Sequence, residues 1–169
     1  MKGRARLLGH SIHPIVIVFP LGLLSTAVVF DIIGMIWDVP TFALVSYWMI
    51  VAGVIGGFAA AVFGFIDWTI IPSGTRAKTV GLMHGMTNAV VLVLFIVSWY
   101  LRSGRPETPP TTASALSIIG FCLALVGGWL GGELVERLGI AVHTGANPDA
   151  PSSLETDHVT GREPHARNP

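Results

Sequence analysis

The sequence predicts an all-α protein, a bundle of four transmembrane helices with both termini on the same side of a membrane. Three observations predict it. Four apolar blocks, Ile15–Trp37, Phe42–Ile66, Val80–Leu101 and Ala113–Leu130, succeed one another with short polar breaks between them. Each has the roughly 20 residues that a helix rising about 1.5 Å per residue needs to cross bilayer hydrocarbon. Only 12% of the 169 residues are charged and 51% are hydrophobic, whereas a soluble domain carries about 25% charged residues.

The first helix is expected over about 14–37. The opening Met1-Lys-Gly-Arg-Ala-Arg has the charge of a signal peptide. However, His10, His13, Pro14 and Pro20 interrupt the apolar stretch after it and no A-x-A-like site appears, so the helix is read as retained. Pro14 suits a helix start. Pro20 lies deeper and should kink the helix or free a carbonyl. Asp31 ends the apolar run, and Trp37 fits an interfacial anchor. The short Asp38-Val-Pro-Thr41 turn makes helices one and two a hairpin.

Helix two, about 42–67, carries Gly53, Gly56, Gly57 and Gly64, and its Gly53-x-x-x-Gly57 spacing permits close helix contact. Ile71-Pro-Ser-Gly74 separates it from helix three, about 79–101, which holds His84 and Asn88 one turn apart. Ser103–Thr112 is a polar, proline-containing loop. Helix four, about 113–136, runs into a glycine-rich end, Gly127-Gly-Trp-Leu-Gly-Gly-Glu133, and contains Cys122. That lone cysteine excludes an intrachain disulfide and is expected to pack as a small apolar group. Residues 1–143 thus form the membrane bundle, and 144–169 a polar tail expected to be disordered. Helices two and four share a Phe-x5-Gly spacing, Phe58/Gly64 and Phe121/Gly127, and helices one and three each carry a histidine near one end, which suggests an internal two-fold repeat.

Lys2, Arg4, Arg6, Arg76, Lys78 and Arg137 lie at one end of the spans, against Arg102 and Arg105 at the other. The positive-inside bias places both termini in the cytoplasm of a cell whose inner (plasma) membrane holds the protein. A net charge of zero gives no basic excess for nucleic acid. The bilayer is the expected partner, and an assembly of several copies is compatible with the pattern.

Charges in lipid cost several kcal/mol, so retained polar residues carry the functional signal. His10, His13, Asp67, His84, Glu133 and Glu136 fall at one layer, with His143 nearby, and Asn88 adds a polar group one turn along. Three readings stand. Such groups cap helix ends or meet headgroups, the reading given to His158 and His165 in the tail and, with it, to Asp31 and Asp38. His13 and His84, with His10 as substitute, can instead supply axial nitrogens to a b-type haem, or join Asp67 around zinc or iron. The third reading is a path for an ion or small solute, although the mid-bilayer offers only Ser25, Thr26, Ser46, glycines and Cys122. A cofactor-free accessory subunit fits the same pattern. No nucleophile-and-base arrangement, phosphate loop or paired-carboxylate motif points to a soluble-type enzyme.

Gly9-His-Ser-Ile-His-Pro14 with Phe19-Pro-Leu-Gly22 resembles the G-H-x-x-H-P and F-P-x-G opening of a bacterial family of predicted four-helix membrane proteins, a domain of unknown function. The likeness continues through Asp31, Gly64-Phe-Ile-Asp-Trp68, His84 with Asn88, and Gly127–Val135, about residues 7–143 in all. It implies the fold and the membrane location. Some members carry a fused Rieske-type iron–sulfur domain, which implies redox work; with the histidine pair, the leading reading is a redox or haem-binding membrane protein that passes electrons to or from a quinone or a partner protein at the cytoplasmic face. No such domain is expected in this chain, whose lone cysteine cannot supply the ligands. Glu136-Arg-Leu-Gly139 also stands where members have an aromatic residue and a histidine before glycine.

Overall fold

The computed structural model describes residues 3–154. Four membrane-length helical spans run Ile12–Trp37, Pro40–Thr69, Arg76–Arg102 and Thr111–Arg137. In chain order the elements are a two-stranded hairpin of β1 (Arg6–Leu7) and β2 (His10–Ser11), then α1 (Ile12–Val16), α2 (Val18–Trp37), α3 (Pro40–Thr69), α4 (Arg76–Arg102), α5 (Thr111–Gly132) and a π turn, Glu133–Arg137.

The β hairpin is absent from the sequence reading, which leaves 1–13 as a lead-in. It forms because Leu8 and Gly9 both take positive φ, 48° and 85°, the conformation that closes a two-residue turn. The first span breaks at Ile17, between α1 and α2. Pro20 explains it: proline has no N–H to give the carbonyl four residues back, and its ring crowds that turn. The chain bridges the defect with Ile17 N–H to His13 O at 3.1 Å and Leu21 N–H to Ile17 O at 3.1 Å. Asp38 then terminates α2 in the left-handed region at φ 52°, and Pro40 opens α3 at its first position, where the missing donor costs nothing. At the next connection Gly74 has φ 75°, and Thr75 caps α4 by accepting the Lys78 N–H at 3.2 Å.

Two helical hairpins, α1–α2 with α3 and α4 with α5, pack around Leu24, Ala27, Val28, Ile50, Val91 and Phe95. Glycines set the helix spacing. A Cβ on Gly53 would stand 2.6 Å from Leu24, and one on Gly57 would stand 2.4 Å from Leu92. The Gly-x-x-x-Gly pair therefore receives two different helices, α2 and α4. Outward faces carry exposed Phe19, Trp48, Ile55, Phe58, Trp129 and their neighbours, the surface a lipid-facing bundle needs. Cys122 is among the exposed residues, so it faces outward instead of packing in the core. Residues 144–154 form turns, with Ser153 reaching the His10 side chain. The expected disorder beyond 154, together with Lys2, His158 and His165, lies outside the described residues.

Candidate functional site

His13 and His84 face one another across the gap between the two hairpins. Their ring centroids are 6.3 Å apart and the ring planes cross at 87°. Each ring is fixed in the same way. His13 Nδ1 lies 2.9 Å from the Ala60 carbonyl, and His84 Nδ1 lies 2.9 Å from the Gly127 carbonyl. A carbonyl only accepts, so Nδ1 carries a proton in both rings, and in the neutral imidazole Nε2 carries the lone pair. Room for the rings comes from glycine one turn further along each facing helix. A Cβ on Gly64 would stand 2.9 Å from His13 Cε1, and one on Gly131 would stand 3.2 Å from His84 Cε1. Asn88 bonds back to the His84 carbonyl at 2.8 Å and lies 3.4 Å from His84 Nε2, with Gly127 making space for its amide.

The other residues of this layer serve different ends. Asp67 accepts the Arg4 and Ala5 backbone N–H groups at 2.7 and 3.2 Å, tying the N-terminal hairpin to the end of α3. His10 is exposed on β2, near Leu8 O at 3.3 Å and Ser153 Oγ at 3.4 Å. Strand pairing carries it away from the gap, so it is no substitute for His13. Glu133 pairs with Arg76 at 2.6 Å, closing the fourth span onto the third. Glu136 is exposed, and the likewise exposed His143 accepts the Gly145 N–H at 3.0 Å. The expected metal set of His10, His13, His84 and Asp67 therefore does not assemble. Among the described residues no three His, Cys, Asp or Glu side chains converge to hold an ion.

A second polar centre, unforeseen in the sequence reading, lies at the opposite end of the bundle. Arg102 and Asp31, 0% and 3% exposed, form a two-pronged ion pair, Nη1 to Oδ1 at 2.7 Å and Nη2 to Oδ2 at 2.5 Å. The remaining guanidinium hydrogens go to hydroxyls: Nε to Ser98 at 3.1 Å, Nη2 to Ser117 at 3.2 Å, and Nη1 to Ser46 at 3.4 Å. All four spans contribute a residue. Reading Arg102 as a surface cation and Asp31 as an interfacial group misses this. The available signal was a carboxylate and a guanidinium at the same end of different apolar helices, which in lipid must find each other.

The two centres obey one repeat. His84, Phe95 and Arg102 stand 71 positions after His13, Leu24 and Asp31, whereas Gly120, Gly127 and Gly131 stand 67 after Gly53, Ala60 and Gly64. The contacts repeat with them: Gly53 receives Leu24 as Gly120 receives Phe95, and Gly64 receives His13 as Gly131 receives His84. The structural register thus pairs Gly64 with Gly131, correcting the Phe-x5-Gly alignment, which paired it with Gly127. His13 meets its own counterpart, and Asp31 meets a counterpart of opposite charge.

Fold and site together define a polytopic membrane bundle built from two like hairpins, with a paired-imidazole centre at one end and a buried ion pair at the other. Residues 9–144 match the family described as Predicted membrane protein (DUF2231), and the chain belongs to that family. No curated protein and no solved structure matches it.

Proposed function

We propose that the protein is a small membrane redox protein whose His13 and His84 supply the two axial nitrogens of a b-type haem. The observation that carries this reading is the pair of imidazoles with Nδ1 committed to backbone carbonyls, which leaves Nε2 of His13 for ligation and Nε2 of His84 for ligation once the Asn88 amide, 3.4 Å away, gives way. Ligating histidines are commonly oriented by this kind of bond from the other ring nitrogen. Spacing supports it as well. Two imidazoles that share one metal through bonds of about 2 Å hold their centroids about 6 Å apart, close to the observed 6.3 Å. Bound haem would supply one-electron chemistry; the protein's part is to hold the iron between two fixed nitrogens.

The pair lies at the end that carries Arg4, Arg6, Arg76, Lys78 and Arg137. With Arg102 buried, Arg105 is the one cation left at the other end among the described residues. That asymmetry favours an inner-membrane protein with cytoplasmic termini, exchanging electrons with a quinone or a partner protein at the cytoplasmic face. A cofactor-free accessory subunit is the second reading, favoured by the fact that each imidazole already has a backbone partner. Transport fits less well, because apolar Leu24, Ala27, Val28, Ile50, Val91 and Phe95 fill the bundle between the two polar centres. The visible spectrum of protein purified from haem-replete cells tests the proposal. A Soret band with sharp bands on reduction is expected; colourless protein that takes up no added haem contradicts it.

A further inference from the structure

At the end of the bundle opposite the histidines, a cavity of about 250 Å³ opens above the buried ion pair, lined among others by Asp31, Met35, Asp38, Val39, Glu107 and Ser114. Two independent features point to a ligand. The first is charge. Asp31 is neutralised by Arg102, but Asp38 and Glu107 have no ion pair among the described residues. The N-termini of α3 and α5 also face the cavity, each contributing about half a positive charge, and the C-terminus of α2 returns about half a negative one. More than one negative charge remains in excess. Arg105, two residues from Glu107, is the nearest free cation in sequence and does not line the cavity.

The second feature is spare hydrogen-bonding capacity that opens onto the cavity. Ser114 is 4% exposed, lines the cavity, and its hydroxyl has no hydrogen-bond partner among the described residues. Each Asp31 oxygen accepts one guanidinium N–H, which leaves lone pairs over on both. A bare metal ion is a poor match, since no three carboxylates or imidazoles meet at ligand spacing among the described residues, and the volume exceeds what an ion fills. A body of several atoms, cationic at its polar end and apolar elsewhere, suits walls made of carboxylates, a hydroxyl, Met35 and Val39.

We infer that this cavity binds a small organic amine, its ammonium group held by Asp38 and Glu107 and its alkyl part lying against Met35 and Val39. The site is separate from the histidine pair and stands whether or not haem binds there. The test is calorimetric titration of 1-aminobutane into the full-length protein in lipid nanodiscs, with calcium as the alternative probe. Saturable binding is expected, weakened about tenfold or more in the Asp38→Asn/Glu107→Gln variant, as loss of two charge-assisted contacts implies. Ser114→Val, which replaces the hydroxyl in the cavity wall by methyl groups and keeps both carboxylates, is also expected to weaken it, while Asp149→Asn, outside the cavity, leaves it unchanged. Absence of saturable binding, binding indifferent to the cavity variants, or calcium binding at the same residues in preference to the amine each overturns the proposal.

Discussion

Arg102 and Asp31 show how much one residue's meaning depends on its partner. A guanidinium buried at 0% exposure is tolerated only because five hydrogen bonds surround it, two to carboxylate and three to serine hydroxyls. Removing one charge strands the other, which costs about 3–5 kcal/mol in buried pairs. Asp31→Asn or Arg102→Met is therefore expected to lower the unfolding midpoint of the purified protein sharply, and the double variant Asp31→Leu/Arg102→Met to recover much of the loss; equal losses in single and double variants would contradict the pairing. His13 and His84 stand out in the sequence because few histidines border or enter the apolar blocks, and the structure brings the two rings together. Asp31, Arg102, Asp67 and His10 are misread from sequence, since span boundaries say how deep a residue lies and nothing of which neighbour it turns toward.

Helices here are spaced by glycine, and the consequence differs from site to site. At Gly64 an added methyl would press on the His13 ring at 2.9 Å, whereas at Gly128 it would meet nothing within 4 Å. Gly64→Ala is expected to displace the imidazole and destabilise the first hairpin by about 1–3 kcal/mol. Gly128→Ala should be neutral or stabilise by up to about 1 kcal/mol through helix propensity. Thermal unfolding in detergent checks both, and equal effects would undo the close-approach argument. The four spans, their order and the polar breaks were legible in the sequence because bilayer thickness fixes a length that composition reveals directly. The break at Ile17 followed from Pro20 as expected, although its position required knowing which carbonyl loses its donor. Less legible were the N-terminal β hairpin, set by two positive-φ residues, and the π turn at Glu133–Arg137, where the fourth span was expected to stay α-helical to 136.

At the scale of the whole molecule, two similar hairpins meet along a line with histidines at one end and an ion pair at the other. The repeat was only glimpsed in the sequence, because the offset changes from 71 in the first helix of each hairpin to 67 in the second, which defeats a single alignment shift. Reporter fusions to the C-terminus and to the loop after Arg102 are expected to be active on opposite sides of the membrane, the C-terminal one in the cytoplasm; periplasmic activity at the C-terminus would reverse the orientation. If haem sits between His13 and His84, it also joins the two hairpins, so its binding and the meeting of the two halves are one property. Titration of haem into the cofactor-free full-length protein, followed by its visible spectrum, tests this most directly. One haem per chain with a six-coordinate low-spin spectrum is predicted for the natural sequence and for His10→Ala, and loss of that spectrum for His13→Ala and for His84→Ala alike. A low-spin spectrum that survives either of the last two substitutions, or no specific uptake by the unaltered protein, would contradict the account.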